Sequence, residues 1–331
     1  MVGFDDGTEQ ERYLDDNRVK RINPDLTATV DISQAVQLRE NAGLVYLGMM
    51  KSGPFDLDSE TAQKMIAAPL TANGRANTDV VKRRLGGQDV VGRARDAWII
   101  DFGVDMPEHE AALYELPFEY VKQHVKPLRE SNRRKRTQER WWIHGEPRPG
   151  LRKALREISR CIVTPEVAKH RLFIWMDTNT IPDHTCHVIT RADDYFLGVL
   201  QSHFHELWSL RIGSTLEDRP RYSSSRTFEN FPFPWPPGKE PTSDPRVEAI
   251  AQAARELLEQ RDAWLNPPSA SEAELKKRTL TNLYNQRPTW LDLAHRKLDA
   301  AVCDAYGWPH GLADEEVLER LLALNLERAG L

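Results

Sequence analysis

The segment FPFPWPPGKEPTSDP, Phe231 to Pro245, decides how the chain is read. Six of its fifteen residues are proline, which removes backbone donors and favours an extended course. It reads as a linker, and the sequence changes character across it. Downstream, Asp244-Pro245 is an N-cap followed by a first-turn proline, which opens a helix over Val247–Leu265. Further helices are predicted at Ser271–Tyr284, Trp290–Tyr306 and Asp314–Ala329, a small all-helical module.

Upstream of the prolines the signals are mixed. Short strands are predicted at Gly43–Met49, Ala97–Asp101, Ser159–Thr164, Leu172–Met176 and His187–Thr190. Helices are predicted at Asp58–Ala67 with Asp58 as N-cap, Pro107–Tyr114, Phe118–Arg136, Leu151–Ile158 and Asp193–Ser202. Strands and helices interleaved without a regular period read as α+β. The opening residues read as a hairpin: VGF, a turn at Asp5-Asp6-Gly7, then RYL and RVKRI. Two or three strands alone cannot make a domain, so this hairpin reads as the remnant of a sheet begun elsewhere. The expected division is a remnant over 1–30, a mixed domain over 31–236 and a helical domain over 245–331.

Composition narrows the class. Of 331 residues, 40% are hydrophobic and 29% charged, the balance of a folded soluble protein. No apolar run reaches the length of a membrane span, and three scattered cysteines (Cys161, Cys186, Cys303) fit a reducing cytoplasm. The net charge of −5 conceals an asymmetry. Between Val121 and Arg160 stand thirteen Lys or Arg against four Glu, whereas the first sixteen residues and the stretch from Leu312 onward are acidic. One concentrated basic stretch in an acidic chain points to a localised polyanion contact.

Two segments carry candidate chemistry. In the basic stretch, Arg133, Arg134, Lys135 and Arg136 fall at the end of a predicted helix, where cations also compensate the dipole. Trp141, Trp142 and Arg148 follow. Arginines with nearby aromatics suit phosphates, and the plainer reading is a solvated helix face over core tryptophans. In LEDRPRYSSSRTFENFPFPW, Arg219, Arg221 and Arg226 alternate with Glu217, Asp218 and serines. Arg can take guanine bidentately and Glu can accept from cytosine N4, so this mix suits base edges. The plainer reading there is a polar connector ahead of an aromatic anchor at Phe228, Phe231, Phe233 and Trp235. The histidines His184, His187, His203 and His205 suggest a metal cluster and a stand-alone metal-dependent enzyme, although no CxxC or HxxxH accompanies them. Asn266-Pro267-Pro268 echoes the Asn-Pro-Pro-aromatic motif of amino-methyltransferases, but it closes a helix and precedes Ser269. There is no GxGxxG and no P-loop.

Taken together, VGFDDG…INPDLT, ENAGLVYLG, SGPFDLD, NGRANTDVV, DAWIIDFG, LYELPFEYV, RWWIHGEPRPGLR, TPEVAKHRLF, SHFHELWSLRIGS, RPRYSSSRTFENFPFPW and TLTNLYNQRPTWLDLAHRKLDAAVCDAYGWP resemble the MmeI-like (Type IIL) restriction–modification DNA methyltransferases. The matching part is their target-recognition domain followed by their C-terminal helical domain. The resemblance implies sequence recognition on double-stranded DNA for an S-adenosylmethionine-dependent N6-adenine methyltransferase, with a methyltransferase domain or subunit as partner. It implies base reading by Glu217 and Arg219, with the neighbouring Arg221 counted among the base-reading residues and Ser223 and Arg226 as DNA contacts, while the charge of the basic stretch itself points to DNA contacts by Arg133, Arg134, Arg136 and Arg148. The family's glycine-rich cofactor loop and its Asn-Pro-Pro-aromatic motif are not among these residues. The chain alone is therefore expected to be inactive, with no cofactor or catalytic residue of its own, as a fragment or half of a split enzyme. An alternative is a protein-interaction subunit that docks a separate methyltransferase through exposed strands.

Overall fold

The computed structural model describes residues 11–19, 22, 30–71, 74–216 and 219–331. A hairpin pairs β1 (Arg12–Leu14) with β2 (Asn17–Val19), Leu14 opposite Asn17. Between them Asp15 and Asp16 take φ of 49° and 63°, the geometry that a two-residue hairpin loop requires. The turn expected at Asp5-Asp6-Gly7 lies outside the described residues.

After β3 (Val45–Leu47) the chain builds a lobe from β4 (Asp56–Leu57), α1 (Ser59–Ala67), β5 (Val81–Leu85), α2 (Gly87–Val91) and β6 (Trp98–Ile100). Asp58 caps α1 as expected, accepting from the Thr61 N–H at 2.8 Å. A short α3 (Glu108–Ala111) follows. The helix expected over Phe118–Arg136 is three: α4 (Glu115–His124), α5 (Lys126–Glu130) and α6 (Lys135–Glu139). Pro127 has no N–H to give the Gln123 carbonyl and its ring crowds that oxygen, so the first helix stops. Arg133 and Arg134 thus precede a new helix, and of the four cations expected at a helix end only Arg136 falls in a last turn, that of α6.

The central sheet forms next, from α7 (Pro149–Leu155), β7 (Arg160–Pro165), β8 (Ile174–Asp177), β9 (Ile181–Pro182) and β10 (Cys186–Ile189). Its order is β3-β10-β7-β8, antiparallel throughout, while β9 crosses over to run parallel to β5 and complete a second sheet, β4-β6-β5-β9. Strand alternation gives the central sheet two apolar faces. Cys161, Val163, Cys186 and Val188 pack on Leu151 and Leu155 of α7. Ile162 and Ile189 face the other way, onto the largest core.

That core holds α8 (Asp194–Gln201), α9 (His203–Ile212) and most of the helices beyond the prolines: α10 (Pro245–Leu265), α12 (Leu280–Gln286), α13 (Thr289–Tyr306) and α14 (Asp314–Ala329), while the short α11 (Glu272–Lys277) buries no residue. Between α9 and the prolines lies a hairpin, β11 (Ser214–Leu216) and β12 (Arg219–Arg221). The architecture is α+β followed by helices, as the sequence indicates. The proline segment, however, is not a free tether. Phe228, Phe231 and Phe233 are fully buried, and Phe196 of α8 stacks on Phe233 with centroids 4.5 Å apart. They share one core with Leu257, Leu298 and Leu321 of the C-terminal helices. Helices α8 and α10 meet at Gly198, where a Cβ would stand 2.7 Å from Ile250 Cγ2 and 3.1 Å from Ala254 Cβ. Only a glycine admits that approach.

A shared core predicts a single cooperative unfolding transition in calorimetry, rather than one for each half. Phe233→Ala should cost about 3–5 kcal/mol and lower that transition as a whole. Two separate peaks, with the second unmoved by the substitution, would mean that the helices fold independently.

Candidate nucleic-acid interface

Helix α9 ends at Ile212 and β11 begins two residues later, so the hairpin stands directly on the helix. Its register pairs Ser214 with Arg221 and Leu216 with Arg219; Glu217 and Asp218, between the two strands in sequence, lie outside the described residues. Hydrogen bonds to its main chain fasten its base to the loop after β7. The Tyr222 N–H donates to the Glu166 carbonyl at 2.7 Å, and the Arg171 Nη2 to the Pro220 carbonyl at 3.3 Å. Arg221 lies exposed, with its Nε and Nη2 donating to Glu166 Oε1 at 2.9 and 2.7 Å. Sequence reasoning missed Glu166. No local signal marks it, because only the fold brings it under an arginine 55 positions away.

Next, Ser224–Phe228 forms one wide turn in which the Glu229 N–H reaches back to the Ser224 carbonyl at 2.8 Å. Thr227 Oγ1 donates to the Ser223 carbonyl and accepts from the Ser223 N–H, which closes the turn from inside. Arg226 projects from this turn, exposed and without an ion-pair or hydrogen-bond partner among the described residues. Glu166, His187, Arg221, Tyr222, Ser223 and Arg226 line a cleft of about 470 Å³. Its floor is rigid. Tyr222 is 1% exposed, its hydroxyl meets His205 Nε2 at 3.0 Å, and the Arg171 guanidinium lies over its ring. Burial lowers the pKa of His205 to about 3 and of His187 to about 4, and pulls Arg171 down to about 10. Both imidazoles are neutral at ordinary pH. The cleft offers cations, hydroxyls and one carboxylate together, a mixed donor and acceptor set that suits base edges better than phosphate alone.

The basic stretch divides by burial. Arg133, Arg134 and Arg136 are exposed, and their guanidinium groups have no partner among the described residues. Arg129 goes inside. It is 2% exposed and donates to the carbonyls of Lys51, Ser52, Arg140, Trp141 and Ile143, with burial lowering its pKa to about 10. Arg152 Nη2 donates to the buried Asp101, 2.8 Å from each carboxylate oxygen. Burial pushes that carboxyl upward, but Arg152 and the neighbouring His144 prevail and hold it below the usual range. Arg148 is also committed, to Glu146 at 2.7 Å and to the Gly48 carbonyl at 3.2 Å. These bonds steady its left-handed backbone at φ 53°. Trp141 and Trp142 are core residues.

The histidine metal cluster does not assemble. His184 is exposed, His203 faces Asp314 at 2.9 Å, and His187 and His205 flank Tyr222. No group of three or more His, Cys, Asp or Glu is disposed to hold a metal among the described residues. Asn266 is the C-cap of α10, its amide donating to Asp262 and its carbonyl accepting from Arg93. It is a helix stop and not an amine-binding loop. No helix of the described residues is long and apolar enough to cross a membrane.

A family model described as "MmeI, target recognition domain" matches residues 48–235, and one described as "MmeI, C-terminal domain" matches residues 242–329. DNA methyltransferase A of Bacillus subtilis (strain 168) is 34% identical over 172 residues, which is 50% of this chain and 18% of that protein. The structure of the Type IIL restriction-modification enzyme MmeI in complex with DNA superposes with a TM-score of 0.72 at 22% identity, over 95% of this chain and 40% of that one. At that identity the likeness is one of fold, and the chain spans less than half the length of either relative.

The neutral histidines under the hairpin carry a pH signature. Their folded-state pKa values lie below the ordinary 6.5, so the stability they hold is complete above that pH. It is lost as pH falls from 6.5 toward 4, by about 1 kcal/mol per pH unit for each ring. Melting temperatures measured from pH 7.5 to 4.5 should fall accordingly, and His205→Phe should flatten the curve by one ring's share. An unchanged slope in the variant would show that His205 is not held neutral.

Proposed function

The chain belongs to the MmeI family, in its target recognition and C-terminal domains, and on that premise we propose that it reads a DNA sequence for an adenine methyltransferase. The observation that carries this reading is the hairpin on its buried floor. Arg219 and Arg221 stand on a rigid base, beside a cleft that pairs arginines with a carboxylate and serines. Glu217, Arg219 and Arg221 read base edges, with Glu166 fixing the angle at which Arg221 is presented. Ser223 and Arg226 make contacts on the neighbouring strand. Arg133, Arg134 and Arg136 meet phosphates and set the register, since unpaired exposed guanidiniums gain most from a polyanion. Arg148 contributes less, because its charge is already matched by Glu146.

Methyl transfer falls to a methyltransferase domain or subunit that partners this chain. S-adenosylmethionine would supply the methyl group there. The residues present do not fit that cofactor: the described loops lack the glycine-rich turn, and both ends of the Asn266 side chain are engaged. The adenine would leave the helix to enter the partner's pocket, as base chemistry on duplex DNA demands.

Binding measured against salt tests the phosphate assignment. Replacing Arg133, Arg134 and Arg136 by alanine should weaken binding to all duplexes alike and lower the logarithmic salt slope by about one per residue. A slope that stays at the wild-type value would reduce the ridge to a solvated face. Specificity is read separately, by grafting the chain onto an intact methyltransferase domain and sequencing the methylated sites. Glu217→Lys with Arg219→Asp should change the preferred base pair at one position, where a bidentate contact is worth about 1–3 kcal/mol, and should spare non-specific affinity. Identical motifs from both versions would make the loop a mere connector.

A further inference from the structure

The acidic C-terminal stretch, which a DNA-binding role leaves unexplained, lies against the helix that carries the hairpin. At the start of α9 the His203 N–H donates to Asp299 Oδ1 of α13 at 2.7 Å, and His203 Nε2 meets Asp314 of α14 at 2.9 Å. At its end Arg211 Nη2 reaches Glu315 of α14 at 3.3 Å. Between these contacts Phe204 packs against Tyr306 and Trp308, with centroids 5.5 and 6.0 Å away. Trp208, fully buried, donates its Nε1–H to Asn230 at 3.2 Å. The join between α9 and β11 has no slack. Gly213 hydrogen-bonds back to the Ser209 carbonyl, and a Cβ there would stand 2.5 Å from that oxygen. A shift of α9 must therefore move β11 and Arg221 with it.

We propose that the C-terminal helices form a brace that fixes the pose of the base-reading hairpin, with Asp299, Asp314 and Glu315 as positioning residues acting through α9. This rests on the reading of the hairpin as the base-reading element. The three acids touch α9 and are not part of the cleft, so their effect on DNA passes through the helix. A carboxylate at the N-terminus of α9 also complements the helix dipole and satisfies a backbone donor that the helix itself cannot. Sequence discrimination then depends on the C-terminal domain, while contacts with phosphate do not.

The test uses the full 331-residue chain. A duplex selected by the wild type from a randomised library is compared with a scrambled duplex, and the ratio of the two affinities is measured. Asp299→Leu combined with Glu315→Gln should lower that ratio roughly tenfold, the scale set by a single bidentate bond to a base edge, and leave affinity for the scrambled duplex near the wild-type value. Asp299→Asn, which keeps an acceptor for the His203 N–H, should restore most of the ratio. Should Asp299→Leu fail to fold, Asp314→Ala with Glu315→Ala at the exposed rim, which removes both acceptors, reads the same quantity. An unchanged ratio in folded variants overturns the brace and leaves the reading of the hairpin intact. A wild type without any sequence preference overturns both.

Discussion

The constraint on which the structure turns is the backbone of residues 228–234, the end of a turn and an irregular run whose prolines have no N–H to offer. Burying such a segment requires that most of its acceptors be met by donors from elsewhere in the chain. Asn41 donates to the carbonyls of Phe228, Glu229 and Phe231 at 3.2, 3.1 and 2.8 Å. Asn325 of α14 donates to Asn230 and Val36, Tyr306 of α13 to Pro232, and Arg328 to Pro234. Three distant stretches thus close on one segment. That is why the aromatic anchor, the central sheet and the C-terminal helices share a core, and why the wide turn carrying Arg226 ends on something rigid.

Charge is sorted by the same logic. Arg129, Arg171 and Arg261 are buried, and each is met mostly by carbonyls or an amide rather than by an acid. A guanidinium can spread several donors over several carbonyls, which a lysine cannot. These arginines tie loops together from within. The cations left outside, at Arg133, Arg134, Arg136 and Arg226, lack intramolecular partners among the described residues. The chain can therefore be acidic overall and still present a localised positive surface.

Much of the fold was legible in the sequence because its signals are local. Asp58 and Asp193 announce their helices by capping them, and both do so here. Apolar runs such as WII and CHVI name their strands. The strand VKRRL escaped notice because its polar side chains hide the alternation: Lys82, Arg83 and Arg84 sit on a sheet whose partners come from both directions in the sequence. The long helix expected through Pro127 failed for the opposite reason, as charge continuity masked a single breaker. In the candidate site, the arginines and serines could be named from residue type. Glu166 could not, and His187 and His205 were named for a metal rather than as the floor under Tyr222, because the proximity of all three to Arg221 and Tyr222 is created by strand pairing and helix packing, which the sequence records only diffusely. Which arginines of the basic stretch point inward was equally invisible, since Arg129 and Arg133 look alike in one dimension.

The hairpin's fastening has a consequence for how such a protein can change over time. Its base is secured by the Tyr222 N–H on the Glu166 carbonyl, by the Pro220 carbonyl on Arg171, and by a glycine joint, all of which are main-chain features of the hairpin itself. Bonds of that kind are indifferent to which side chains occupy positions 215 to 219. Mutation can therefore exchange the tip residues without loosening the scaffold, and new tip chemistries can be sampled at little cost in stability. The burden of conservation falls instead on residues that never approach a ligand: the floor under Tyr222, and the asparagines that hold the proline strand.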